Sequence, residues 1–270
     1  MKGAAFQKNV RTMRTKEKHM KKTKWLAACM VACALALVIG CRSGDDDEPD
    51  LPGVVEKNGW LMEGNTVRQY RGSEEKVTTP AGATIIGKHA FEGTGVKEVT
   101  IGEGVTVIED SAFSGCKSLA SVTIPASVVL IGDSAFSGCA KLTSVKIGGS
   151  VESIGSSAFY QCTSLASVEI PGSVKSIGER AFWGCRSLAS VTIGEGVESI
   201  GELAFESCDS LESVEIPASV KSIGDYAFSS VKEVNYGGTA EQWEKIDIGS
   251  RPFPYNAKIT DKDGKEISRS

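Results

Sequence analysis

Histidine is almost absent. The 270 residues hold two, His19 and His89, and only His89 lies beyond residue 40. That excludes a histidine-rich metal centre or a multi-histidine catalytic site from the later chain. Positive charge is scarce outside the N-terminus. Residues 1–40 take nine of the 30 Lys and Arg but only one of the 34 acids, Glu17, which leaves 21 basic and 33 acidic residues and a net charge of −12. An acidic body neither releases counterions from phosphates nor adsorbs to anionic lipid, so no nucleic-acid partner is expected. Proline is sparse too, 8 against 30 glycines, which suits regularly spaced turns better than a disordered tract. A long apolar run occurs once, Trp25–Ile39. It is shorter than the roughly 20 residues that a membrane span requires.

That run follows the basic cluster Lys16, Lys18, Lys21, Lys22 and Lys24 and ends in Val38-Ile39-Gly40-Cys41. Charge, length and small-residue cleavage site together read as a secretory signal over 1–40. The last four residues resemble the lipobox of bacterial lipoproteins. The resemblance implies cleavage after Gly40, lipidation of the Cys41 thiol, and a membrane partner reached through that anchor. Met20 begins an economical signal by itself, so residues 1–19 read as a mis-annotated start. Residues 41–54 carry Asp45, Asp46, Asp47, Glu48 and Asp50 and form an acidic tether. The tether resembles the acidic export signal that sends lipoproteins to the outer surface in Bacteroidetes.

The rest of the chain repeats every 23 residues. Six copies begin at Val96, Leu119, Leu142, Leu165, Leu188 and Leu211, and a divergent 22-residue unit, 74–95, precedes them. The pattern is L-x-S-V-x-I-[PG]-x-x-V-x-x-I-G-x-x-A-F-x-x-C-x-x. Leu119, Val122 and Ile124 have the spacing of a short strand, Val128 and Ile131 suit a second extended piece, and Ala135, Phe136 and Cys139 turn the chain back. One such unit cannot bury its apolar face alone, so stability belongs to the stack. The residue after the strand Ile alternates Gly102, Pro125, Gly148, Pro171, Gly194, Pro217, and a charge column alternates Glu152, Lys175, Glu198, Lys221. The true period is thus a 46-residue pair. Glu109 breaks the Ile-Gly step, and Gln161 and Ser207 replace the Gly before Cys.

The I-G-x-x-A-F-x-x-C ending resembles the treponemal, or BspA-like, type of leucine-rich repeat over roughly 55–260. The expected fold is a mostly β solenoid, a right-handed leucine-rich-repeat superhelix of about seven 22–23-residue coils. An N-terminal cap occupies 55–73 with a hairpin at Gly64-Asn65, the array 74–230, and a C-terminal cap 231–270. In that cap Thr239 and Gln242 form a capping box ahead of Trp243 and Ile246, and a terminal hairpin turns at Asp263-Gly264.

The candidate chemistry is thin. Cys116, Cys139, Cys162, Cys185 and Cys208 form a line beside Phe, where zinc would need ligands converging on one point. They read as buried free thiols, with disulfides between neighbouring coils as the alternative. Ser121, Ser144, Ser167, Ser190 and Ser213 form a column without a partnering base, and His89 stands alone. No enzyme and no cofactor is expected. Gly132, Gly155, Gly178, Gly201 and Gly224 are expected at a positive-φ turn. Phe113, Phe136, Phe159, Phe182, Phe205 and Phe228 are expected in one buried stack.

Recognition is left to the positions that vary. Tyr160 and Trp183 hold equivalent places in adjacent coils, and Val107, Val129 and Leu130 stand where later coils carry Glu/Lys-Ser. The reading is a lipid-anchored, outer-membrane, surface-exposed binding protein whose partner is a protein. The family resemblance implies adhesion to host extracellular proteins or to other bacteria. A periplasmic or envelope scaffold and a glycan binder acting through Tyr160 and Trp183 are the competing readings.

Overall fold

The computed structural model describes residues 54–268. The signal, Cys41 and most of the acidic tether lie outside the described residues. No helix among the described residues is long and apolar enough to cross a membrane.

Each repeat makes one turn of a β-solenoid with two strands. The first strand, such as Ser167–Ile170, alternates exposed and buried residues, so Val168 and Ile170 point inward while Ser167 and Glu169 face solvent. The second is a two-residue piece such as Ser176–Ile177. Successive turns pair in parallel and in register, Ser167 opposite Ser190 and Ile177 opposite Ile200. The second strands form a continuous 11-stranded sheet that includes the N-terminal meander. The first strands divide into a six-stranded and a three-stranded sheet, with the break between Ile193 and Ser213.

The 46-residue pairing has a physical basis. In the proline turns the hydroxyls of Ser127, Ser173 and Ser219 donate to the carbonyls of Val105, Val151 and Val197 at 2.7–2.8 Å. In the glycine turns the N–H of Gly194 and of Gly237 donates to Ile170 and Ile216 at 2.9 and 2.8 Å, a bond that proline cannot make. Of the alternating charges, Lys221 and Glu198 close to 2.8 Å, whereas the Lys175 ammonium donates to the Gly196 carbonyl at 3.4 Å.

The third side of each turn carries the Ala-Phe pair. The Phe rings stack from Phe91 to Phe228 with centroids 4.6–5.2 Å apart. All of them are buried. Beside them run the buried free thiols. Each Cys Sγ donates to the Phe carbonyl of the preceding turn, 2.9 Å for Cys116 to Phe91 and 3.2 Å for Cys185 to Phe159. Burial pushes the Cys116 and Cys185 thiols up to about 12, so both stay protonated and act as small apolar donors.

Two positions per turn are left-handed. One precedes Ala: Ser111, Ser134, Ser157, Arg180, Leu203 and Tyr226 have φ between 54° and 57°. The other precedes Cys and is glycine at Gly115, Gly138 and Gly184 but Gln161 and Ser207 in two turns. The glycines after the second Ile are not among them, which corrects the expectation for Gly132, Gly155, Gly178, Gly201 and Gly224. What they supply is close approach. A Cβ on Gly155 would lie 2.5 Å from the Gly132 carbonyl carbon, and one on Gly178 2.6 Å from that of Gly155. Neighbouring turns meet backbone to backbone there, and a side chain would push them apart.

The two ends differ. At the N-terminus Val54–Lys57, Trp60–Glu63 and Thr66–Tyr70 form an antiparallel meander, turning at Gly64-Asn65. Its last strand pairs in parallel with Ile85–Ile86. Trp60 and Tyr70 close over Phe91 at centroid distances of 5.6 and 5.5 Å. At the C-terminus the capping box of Thr239 and Gln242 opens the helix Ala240–Trp243. The segment after it, Ile248-Gly249-Ser250-Arg251-Pro252-Phe253, retraces the Ile-Gly-x-x-Ala-Phe path with Pro252 in place of Ala. Gly249 donates to the Ile223 carbonyl at 2.8 Å, Arg251 has φ 48°, and Phe253 extends the ring stack beyond Phe228 at 5.5 Å. The solenoid therefore runs one turn past residue 230, where the sequence pattern places the end of the array. Lys258–Thr260 pairs in parallel with Glu233–Tyr236 and folds back through Gly264, with Thr260 bridging Glu266.

Candidate binding surface

The outer face of the long sheet carries one column in strict register: Ile85, Val107, Leu130, Ser153, Ser176, Ser199, Ser222, Asp247. Backbone bonds set a second column beside it, Thr106, Val129, Glu152, Lys175, Glu198 and Lys221. The same backbone thus displays two chemistries. The later turns present hydroxyls and charges, and the Ser153 and Ser176 hydroxyls lie 3.1 Å apart. The earlier turns present hydrocarbon. Val129 is 40% and Leu130 41% exposed, while Val107 and Ile85 are half-buried next to them. Val129 and Leu130 stand in solvent rather than packing under the N-terminal meander. Neither belongs to the buried core, so their exposed area is available to a partner.

Tyr160 and Trp183 are half-buried, and their rings stack on each other with centroids 4.8 Å apart and planes 9° from parallel. Each therefore covers one face of the other. Ser137 precedes them in the column and Glu206 follows, and one Glu206 carboxylate oxygen is buried without a hydrogen-bond donor. The pair does not meet the apolar column: the two lie on different sides of the turn.

The remaining candidates carry no constellation. The Ser121–Ser213 column is exposed along the first-strand face. His89 is exposed with Nδ1 2.8 Å from a Glu92 carboxylate oxygen. No group of three His, Cys, Asp or Glu among the described residues is placed to hold a metal ion. Sequence reasoning passed over three exposed apolar residues of the last turns, Tyr226, Ile248 and Tyr255. A signal existed for Tyr226, which stands in a variable column that holds Ser111, Ser134, Ser157, Arg180 and Leu203 in earlier turns. Ile248 gave none, because its exposure arises only from being last.

Six copies of the BspA type leucine-rich repeat region match the chain over residues 69–185 and 152–261. A leucine-rich repeat protein from Eubacterium ventriosum is similar in structure, with a TM-score of 0.59 and 26% identity over 62% of this chain and 47% of its own. One from Bacteroides ovatus has a TM-score of 0.53 and 22% identity, over 78% of this chain and 62% of its own. The likeness to the second is one of fold alone. The chain thus spans about half the length of the first and 62% of the second. No curated protein matches.

Proposed function

The chain belongs to the BspA-type leucine-rich repeat family, and from that premise we propose that it is a lipid-anchored bacterial surface protein that binds another protein through the outer face of its long sheet. One observation carries the reading: an exposed apolar cluster of Val129 and Leu130, continued by Val107 and Ile85, occupies two registers that hold Glu or Lys and Ser in four later turns. The array presents these side chains outside its buried core, rimmed by polar residues, as contact surfaces are. A regular stack is a scaffold for contact rather than for catalysis. Host extracellular proteins or the surfaces of other bacteria are the ligands this reading assigns, with Cys41 as the anchor.

The Tyr160–Trp183 stack supports a glycan reading less well, because each ring already covers one face of the other and both are half-buried. Two measurements test the proposal. Cys41→Ala should abolish acyl labelling and leave precursor-sized protein; persistent labelling would place the anchor elsewhere. Capture by the full chain should retrieve extracellular-matrix proteins. Retrieval of envelope proteins alone, from cells whose copy resists external protease, would favour the periplasmic scaffold.

A further inference from the structure

Among the described residues, the C-terminal edge of the long sheet is unpaired. Its N-terminal end is the antiparallel meander, in which Val54–Lys57 pairs with Trp60–Glu63, and at its C-terminal end the folded-back segment 258–267 pairs with the other sheet. The last strand of the long sheet, Asp247–Ile248, pairs on one side alone among the described residues. In the turn before it, the Lys221 and Ile223 carbonyls accept from the N–H groups of Asp247 and Gly249 at 2.9 and 2.8 Å. The equivalent acceptors one turn later are the Ile246 and Ile248 carbonyls, which no described donor reaches. The inward column Ile177, Ile200, Ile223 is covered, but its last member, Ile248, is 36% exposed. Beside this edge lies a groove of about 1060 Å³ whose lining includes Tyr226, Ile248, Phe253, Tyr255 and Ile259 and the charged Glu244 and Arg251.

From this we infer that the C-terminal edge of the long sheet takes an extended peptide segment of a partner protein, added in parallel as a further strand. The segment donates two N–H groups, two residues apart, to the Ile246 and Ile248 carbonyls. The residue between them is apolar and β-branched, and it continues the isoleucine column into the groove. Main-chain bonds of this kind supply affinity and the pocket supplies choice of side chain. An unpaired edge beside apolar surface is the template such a strand needs. The site is separate from the Val129–Leu130 cluster and does not depend on that reading.

The test pans a phage-displayed library of linear 12-residue peptides against the full-length chain and resynthesises the enriched sequences. They should share an Ile or Val within an extended segment. Affinity should fall at least tenfold on Ile248→Lys, and equally when the peptide's two donating amides, those of the residues just before and just after its Ile or Val, are N-methylated. Ile248→Ser is the second variant should the lysine disturb the turn, and Lys146→Ser, on the exposed face of the other sheet, should leave binding unchanged. The inference is overturned if nothing enriches, if both Ile248 variants bind as well as the wild type, or if N-methylation is tolerated. Light scattering that shows the chain associating with itself through Ile248 would overturn it as well, in favour of a second copy.

Discussion

Ile131 and Leu130 are neighbours in one two-residue strand. Ile131 is fully buried and has a counterpart in every turn; Leu130 is 41% exposed, and its register becomes serine in the next turn. That contrast holds for the molecule as a whole. Inner columns repeat because each side chain packs on its own kind one turn away, so any departure breaks contacts on two sides. Outer columns touch solvent and drift. The lesson is that stability and recognition occupy different faces of the same strands and can be altered separately.

The contrast is broken most forcefully from inside. Phe182 stacks on Phe159 and Phe205 at 5.1 Å each. Phe182→Ala should cost about 3–5 kcal/mol through lost transfer and an unfilled cavity. Because coupling runs only between neighbours, calorimetry should then show separate N- and C-terminal transitions. A single unchanged melt would mean that the stack is not what joins the two halves.

Next in size is the close approach of the turns. Gly178→Ala would place a methyl 2.6 Å from backbone atoms of the preceding turn and should cost about 1–3 kcal/mol as overpacking. Ser207→Gly should act in the opposite sense. Ser207 holds φ 57° in a column that is glycine in other turns, and relieving it should stabilise by up to about 1 kcal/mol, read as a higher urea midpoint.

The thiols add a dependence on pH. Burial raises Cys116 and Cys185 from 9.0 to about 12, so above pH 9 the unfolded chain loses protons that the folded chain keeps. Their contribution is whole below about pH 9 and falls as pH climbs toward 12. Melts at pH 7 and pH 10.5 should show the drop, and a flat profile would deny that the thiols stay buried.

Much of the interior was legible in the sequence. A 23-residue period that keeps Phe and Cys in place implies columns, and columns of large apolar groups must face inward. The glycine after Ile was misread because sequence alone does not separate a glycine needed for positive φ from one needed for contact. The left-handed positions went to Ser134, Arg180 and Leu203, types that do not advertise them. The last turn was hidden by the helix Ala240–Trp243 inserted into it and by Pro252 at the Ala place. The edge at Ile248 was invisible for a simpler reason: its exposure depends on which strand lies beside it, and among the described residues none pairs on its outer side.

The smallest effect on stability bears most directly on function. Val129→Ser with Leu130→Ser would give the early turn the outward chemistry of the later ones. Exposed positions of this kind change stability by about 0.5 kcal/mol or less, so the melting temperature should stay within about two degrees. Capture of extracellular-matrix proteins by the full chain should fall at least tenfold. Equal capture by the variant would contradict the assignment of binding to this face.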